Sequence, residues 1–149
     1  MIKSAEKFIV YTDGGARGNP GPAALGVVIQ DAFGSVLKSF GETLGETTNN
    51  EAEYRAVIAG LQKIKALVGG ERAKNTFIEI YMDSELVVRQ LTGKYKIEEE
   101  RLFPLFIRVW NLKLGFGGVE FRHIPREQNR AADQLVNEAL DHEQTKLFP

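Results

Sequence analysis

Two periods of hydrophobic and polar alternation run along this chain, and the switches between them outline its elements. Phe8-Ile9-Val10-Tyr11-Thr12 is a β-branched and aromatic run that halts at Asp13-Gly14-Gly15, the pattern of a buried strand ending in a turn. Gly18, Asn19, Pro20, Gly21 and Pro22 argue against regular structure in the segment that follows. Residues 25–30 and 36–40 read as two more strands around the turn-like Asp31-Ala32-Phe33-Gly34, so the first third of the chain predicts an antiparallel meander whose first strand is central.

The period then changes. Thr48-Asn49-Asn50-Glu51 has the Thr-x-x-Glu form of a capping box, and Val57, Leu61, Ile64 and Val68 recur at helical spacing, which predicts a long helix from about Asn49 to the Gly69-Gly70 break. Residues 77–82 form a fourth strand that runs into Asp83-Ser84 and a helix through about Leu91. A helix over 102–114, a fifth strand over 119–124 and an amphipathic helix over 129–140 complete the order βββαβααβα. Crossover helices join parallel strands, so strands one, four and five should be parallel neighbours. The expected architecture is α/β: a five-stranded mixed sheet, its first three strands antiparallel, flanked by helices.

At 149 residues the chain has the size of one domain, with a core expected over about 7–141 and a polar, weakly patterned tail over 142–149. The 43% hydrophobic and 26% charged content is that of a globular protein and excludes a fibrous or disordered one. The absence of cysteine excludes disulfides, thiolate nucleophiles and cysteine zinc sites. No export leader is visible in residues 1–7 and no apolar run reaches membrane-spanning length, so a cytoplasmic, membrane-free monomer is the expectation. A net charge of -1 and a pI near 6.2 do not advertise a nucleic-acid partner. Such a partner would require the Lys and Arg residues to collect on one face, with Glu98, Glu99 and Glu100 on another.

The acidic residues carry the chemistry. Asp13 and Asp83 each end a predicted strand, and ligand crevices in open α/β sheets form at that edge. Taken singly, Asp13 is equally a turn former and Asp83 equally a helix cap; their shared place at neighbouring strand ends is what suggests a site. Glu53 lies four residues before Val57 and eight before Leu61, on the helical stripe that must face the sheet, whereas Glu51 falls on the side expected to be solvated. Asp133, three residues before Val136 and seven before Leu140, repeats the pattern in the last helix, although an acid in a first turn also suits the helix dipole. Four carboxylates gathered in one crevice repel each other unless cations neutralise them. All-oxygen ligands suit Mg²⁺ or Mn²⁺, and a pair of such ions can activate water and stabilise the leaving oxygen in phosphodiester cleavage.

These residues resemble the type 1 ribonuclease H family from about Phe8 to Leu140. Tyr-Thr-Asp-Gly-Gly-Ala-Arg-Gly-Asn-Pro-Gly-Pro at 11–22, Thr-Thr-Asn-Asn-Glu-Ala-Glu-Tyr at 47–54, Met-Asp-Ser-Glu at 82–85 and Arg-Glu-Gln-Asn-Arg-Ala-Ala-Asp at 126–133 look like its four motifs. The resemblance implies a ribonuclease H-like fold and an endonuclease that cuts the RNA strand of RNA/DNA hybrids with two Mg²⁺ ions, leaving 5′-phosphate and 3′-hydroxyl ends. Asp13, Glu53, Asp83 and Asp133 would be its metal-binding tetrad. By the same resemblance Gly14, Gly15, Asn19, Asn49 and Asn50 would feel the RNA 2′-hydroxyls, and Thr48 a DNA-strand phosphate. Each of those polar residues also suits a turn or a helix start.

His123, ten residues before Asp133, resembles a family histidine that aids proton transfer and product release, and Arg126 is a rival for that role. Val119, Phe121 and His123 also alternate as one partly buried strand face. In place of the basic, tryptophan-bearing protrusion of some members, residues 93–118 are compact; Lys94, Tyr95 and Lys96 offer a smaller substitute, and Trp110 reads as core. Two other readings stay open. A catalytically silent binding module on this fold would be expected to break a tetrad position, and none is broken; another nuclease on the fold would share the metals but not the paired asparagines.

Overall fold

A computed structural model describes residues 6–147; the leader-free reading of residues 1–5 and the tail residues Phe148 and Pro149 lie outside it. The first strand, β1 (Glu6–Ala16), pairs antiparallel with β2 (Gly21–Asp31), which pairs antiparallel with β3 (Val36–Thr47). Helix α1 (Asn49–Ala73) leads to β4 (Thr76–Met82), then come α2 (Glu85–Leu91), a 3₁₀ turn at Glu100–Leu102, α3 (Phe103–Leu114), β5 (Gly118–His123), a second such turn at Arg126–Gln128, and α4 (Arg130–Leu147). The sheet order is β3-β2-β1-β4-β5, with β4 parallel to both β1 and β5, as the pattern predicts. Among the described residues no helix is long and apolar enough to cross a membrane.

Strand boundaries differ from the expectation in one direction: every strand of the meander is longer. β1 carries on through Asp13-Gly14-Gly15-Ala16, and Gly21 and Pro22 belong to β2, because β2 continues to supply partners (Asp13↔Gly26, Gly14↔Leu25) after β4 has left the ladder at Tyr11↔Tyr81. Turn-prone residues are held extended by a neighbour the local pattern does not contain. The Gly69-Gly70 break is a kink, with Gly69 at φ 81°, after which one more helical turn follows. Helix α4 continues to Leu147, past the point where its apolar pattern fades, and Arg17 ties it back to β1 by pairing with Asp141 at 2.6 Å.

The larger core lies between α1 and one sheet face, where Val57, Leu61 and Ile64 meet Val10, Val27 and Ile80 with no solvent exposure. Trp110, read as core, is instead 49% exposed, with the Lys113 ammonium 5.5 Å from its ring centroid. Val109 takes the inward position on α3, and in a helix apolar on nearly every side the sequence does not say which residue turns in.

The opposite face is covered by α4, and glycines let it come close. A Cβ at Gly26 would lie 2.3 Å from the Ala132 carbonyl oxygen, and one at its pairing partner Gly41 2.7 Å from that of Leu135. Both obstacles are helix backbone, which cannot rotate aside. Gly26→Ala should therefore destabilise the protein by about 1–3 kcal/mol through forced displacement of α4; urea unfolding checks this, and an unchanged midpoint would refute the close packing.

Candidate active site at the edge of the parallel ladder

The site forms where β1 and β4 part. Past Tyr11↔Tyr81 the two strands no longer pair, and Asp13 and Asp83 emerge on either side of the gap. Asn129, only 1% exposed, fills it: its Nδ2 donates to the Thr12 carbonyl at 2.9 Å and lies 3.5 Å from Asp83 Oδ2. The Asn129 backbone carbonyl in turn accepts from the Asp133 backbone N–H at 3.1 Å. One buried residue thus links β1, the end of β4 and the start of α4.

Glu53 reaches the same place from α1. A Cβ at Gly14 would sit 2.2 Å from the Ala52 carbonyl carbon and 2.4 Å from the Glu53 nitrogen, so only glycine permits this contact of helix and strand. Carboxylate oxygens of Asp13, Glu53 and Asp83 all lie within 4.8 Å of one another. Asp13 and Glu53 are each 7% exposed, and half-buried Asp133 completes the acidic wall of a crevice of about 410 Å³. The four acids singled out by position in the sequence therefore share one cleft.

Burial sets the protonation of Asp13 and Glu53. Asp13 is pushed up to about 8, first by burial, then by the charges of Asp83 and Asp133, against a backbone hydrogen bond from Gly14. Burial, followed by the charges of Asp13 and Asp83, also holds Glu53 well above the ordinary carboxylate range. Glu53 Oε2 is buried with no hydrogen-bond partner among the described residues. Three carboxylates meeting within less than 5 Å, one of them with an unpartnered buried oxygen, suit a divalent cation with hard oxygen ligands.

The remaining expected residues divide. Gly14, Gly15, Asn49, Asn50 and Arg126 line the crevice; Asn19, Thr48 and His123 do not. Asn19 Oδ1 accepts from the Asn49 amide at 2.9 Å, and Asn49 Oδ1 accepts from that of Ala16 at 2.8 Å, locking the loop after β1 onto the start of α1. Thr48 caps α1 by accepting from the Glu51 amide at 3.2 Å. His123 ends β5 opposite Met82 and is exposed, unlike Val119 and Phe121, because the alternation of a buried face lapses at the end of the strand. Glu51 contradicts the solvated reading: it is 8% exposed, accepts from the Thr47 hydroxyl and pairs with Arg101 at 2.9 Å.

Sequence reasoning missed four residues at or behind the wall. Arg17 and Ser84 line the crevice. So does Asn137, whose Nδ2 lies 3.4 Å from Asp133 Oδ2; it stands four residues after Asp133, and helical periodicity could have found it. Asn129, inside the fourth motif but without periodicity of its own, gives no such signal.

A family model described as reverse transcriptase-like matches residues 11–139. LC11-RNase H1, isolated from compost and solved in complex with an RNA/DNA hybrid, superposes with a TM-score of 0.87 at 46% identity, over 92% of this chain and 99% of that one. RNase H1 of the halophilic archaeon Halobacterium salinarum gives 0.83 at 41%, over 91% and 98%. The chain belongs to the type 1 ribonuclease H family. The bifunctional protein Rv2228c of Mycobacterium tuberculosis is 39% identical over 136 residues, 91% of this chain. The chain spans 36% of that relative's length and 63% of that of the ribonuclease HI of Halobacterium salinarum.

The raised Asp13 has a consequence for stability. Between its ordinary value of 3.8 and about 8 the folded metal-free protein holds a proton that the unfolded chain has released. Native protein binding more protons than unfolded means stability falls as pH rises through that window. Thermal melts in EDTA should thus show a lower Tm at pH 8.5 than at pH 5.5, with a smaller difference in Asp13→Asn. Equal slopes in the two proteins would contradict the assignment.

Proposed function

We propose that this chain hydrolyses the RNA strand of RNA/DNA hybrids endonucleolytically, using two Mg²⁺ ions held by Asp13, Glu53, Asp83 and Asp133, with Mn²⁺ as a possible substitute. The observation that carries the reading is the convergence of Asp13, Glu53 and Asp83 oxygens within 4.8 Å, beside a buried and unpartnered Glu53 Oε2, in a ribonuclease H family chain. Bound there, the cations supply an activated water and charge stabilisation for the leaving 3′-oxygen, giving 5′-phosphate and 3′-hydroxyl products.

The chain's own groups do the rest. Asp13 and Glu53 keep protons while metal-free and yield them on loading, so cation affinity rises with pH. Asn49 and Asn50, with the Gly14-Gly15 backbone, face the RNA strand and test for its 2′-hydroxyls. Thr48, whose hydroxyl is already oriented by its cap, contacts a DNA-strand phosphate. Arg126, on the crevice wall, would assist proton transfer and product release, with His123, exposed three residues earlier in the chain, as its rival for that role. A silent binding module has no support from the acidic cluster, in which all four positions carry a carboxylate.

Asp13→Asn should abolish Mg²⁺-dependent cleavage of a labelled hybrid while its circular dichroism spectrum stays native. Turnover at the unsubstituted rate would sink the assignment. Wild-type enzyme stripped with EDTA should regain activity with Mg²⁺ or Mn²⁺, and should cut duplex DNA and single-stranded RNA poorly. Comparable cutting of all three substrates would remove the hybrid specificity.

A further inference from the structure

The two crevice asparagines are not equivalent. Asn49, on the crevice lining, spends its amide oxygen on the Ala16 N–H at 2.8 Å, which leaves its NH₂ group as the remaining side-chain donor. Asn50 does the reverse: its Nδ2 donates to Glu99 Oε1 at 2.9 Å, leaving the amide oxygen. An ionised carboxylate accepts hydrogen bonds and cannot donate them, so Glu99 permits only one of the two orientations of the Asn50 amide. Glu99, expected from the charge pattern to lie away from a nucleic-acid face, is therefore tied directly to a residue of the crevice wall.

The segment that carries Glu99 is itself fixed. Leu102, in the 3₁₀ turn that Glu99 precedes, is fully buried. Two residues beyond Glu99, Arg101 pairs with buried Glu51, the neighbour of Asn50. Positions 99 and 101 therefore grip positions 50 and 51 in register. Beneath them, burial first and the charge of Glu99 second raise the Tyr54 phenol, whose hydroxyl donates to Gln90 at 2.8 Å.

We infer that Glu99 is a specificity-determining positioning residue, which holds the Asn50 amide so that its oxygen, rather than its NH₂ group, is offered to the RNA strand. The inference rests on the reading of Asn50 as a contact to a 2′-hydroxyl. A 2′-hydroxyl can donate a proton to that oxygen, whereas the C2′ of a deoxyribose cannot. With the amide reversed, Nδ2 would donate to ring and base oxygens that RNA and DNA share, and discrimination would weaken. Asn49 presents a donor beside the Asn50 acceptor, so the pair matches the double donor and acceptor character of ribose hydroxyls.

The test compares kcat/KM on an all-ribose hybrid with that on hybrids carrying a single 2′-fluoro nucleotide near the cleaved bond, a change that removes the donor. The wild-type protein should disfavour one fluorinated position. Glu99→Ala should shrink that preference about three- to tenfold, the range that one hydrogen bond spans, as should Asn50→Ala, and Glu99→Gln, whose amide accepts either orientation of Asn50, should shrink it by a smaller factor. A merely structural role for Glu99 would slow both substrates alike and leave the ratio unchanged. The near-isosteric Glu99→Gln keeps the test open if Glu99→Ala folds poorly. Loss of preference in Asn50→Ala but not in the Glu99 variants overturns this inference alone. Full preference in Asn50→Ala overturns the Asn50 contact and the inference with it.

Discussion

The whole site depends on the contact between Gly14 and the first turn of α1. Because Gly14 has no side chain, the Ala52 and Glu53 backbone lies against β1 at a distance where a methyl group would overlap it. That contact puts the Glu53 carboxylate beside Asp13, and the Gly14 N–H serves both acids. The other sheet face repeats the device. Gly26, the pairing partner of Asp13, and Gly41 beside it admit the α4 backbone, which brings Asp133 over the same strand. The acidic wall is thus the meeting point of two helices pressed onto one strand from opposite sides.

Such a gathering of acids opposes folding. Burial and mutual repulsion raise Asp13 and Glu53 together, and the uncharged frame around them has to hold the geometry. Asn129 shows how this is done. It supplies the donor that β4 would have given to Thr12, and so keeps the splayed strands apart at a defined width. Thr47, Glu51 and Arg101 form a second support behind α1, joining the end of β3 to the turn before α3. The energy of packing and hydrogen bonding elsewhere is spent on keeping an electrostatically unfavourable crevice ready for cations.

Much of this was legible before any tertiary structure. The stripe of Val57, Leu61, Ile64 and Val68 gives the inward face of α1, and Glu53 on that stripe is a buried acid for that reason. Asp13 and Asp83 at successive parallel strand ends follow from crossover topology. Glu51 was misread because helical period alone separates it from the sheet but says nothing of the 3₁₀ turn and Arg101 that cover it. Trp110 as core and His123 as a partly buried strand residue fail for a related reason: an apolar helix or a short strand end lacks the contrast between faces on which periodicity depends.

The sequence by itself determined the element order, the sheet arrangement and the four acids, because each is written in local periodicity and in motifs whose spacing survives without coordinates. Tertiary structure alone decided the extension of β1 past Asp13, the burial of Glu51, the bridging place of Asn129 and the link from Glu99 to Asn50. These involve partners far apart in the chain, up to 117 residues for Asn129 and Thr12. A side chain's partner across such a distance is set by how helices seat on the sheet, and no local pattern encodes that.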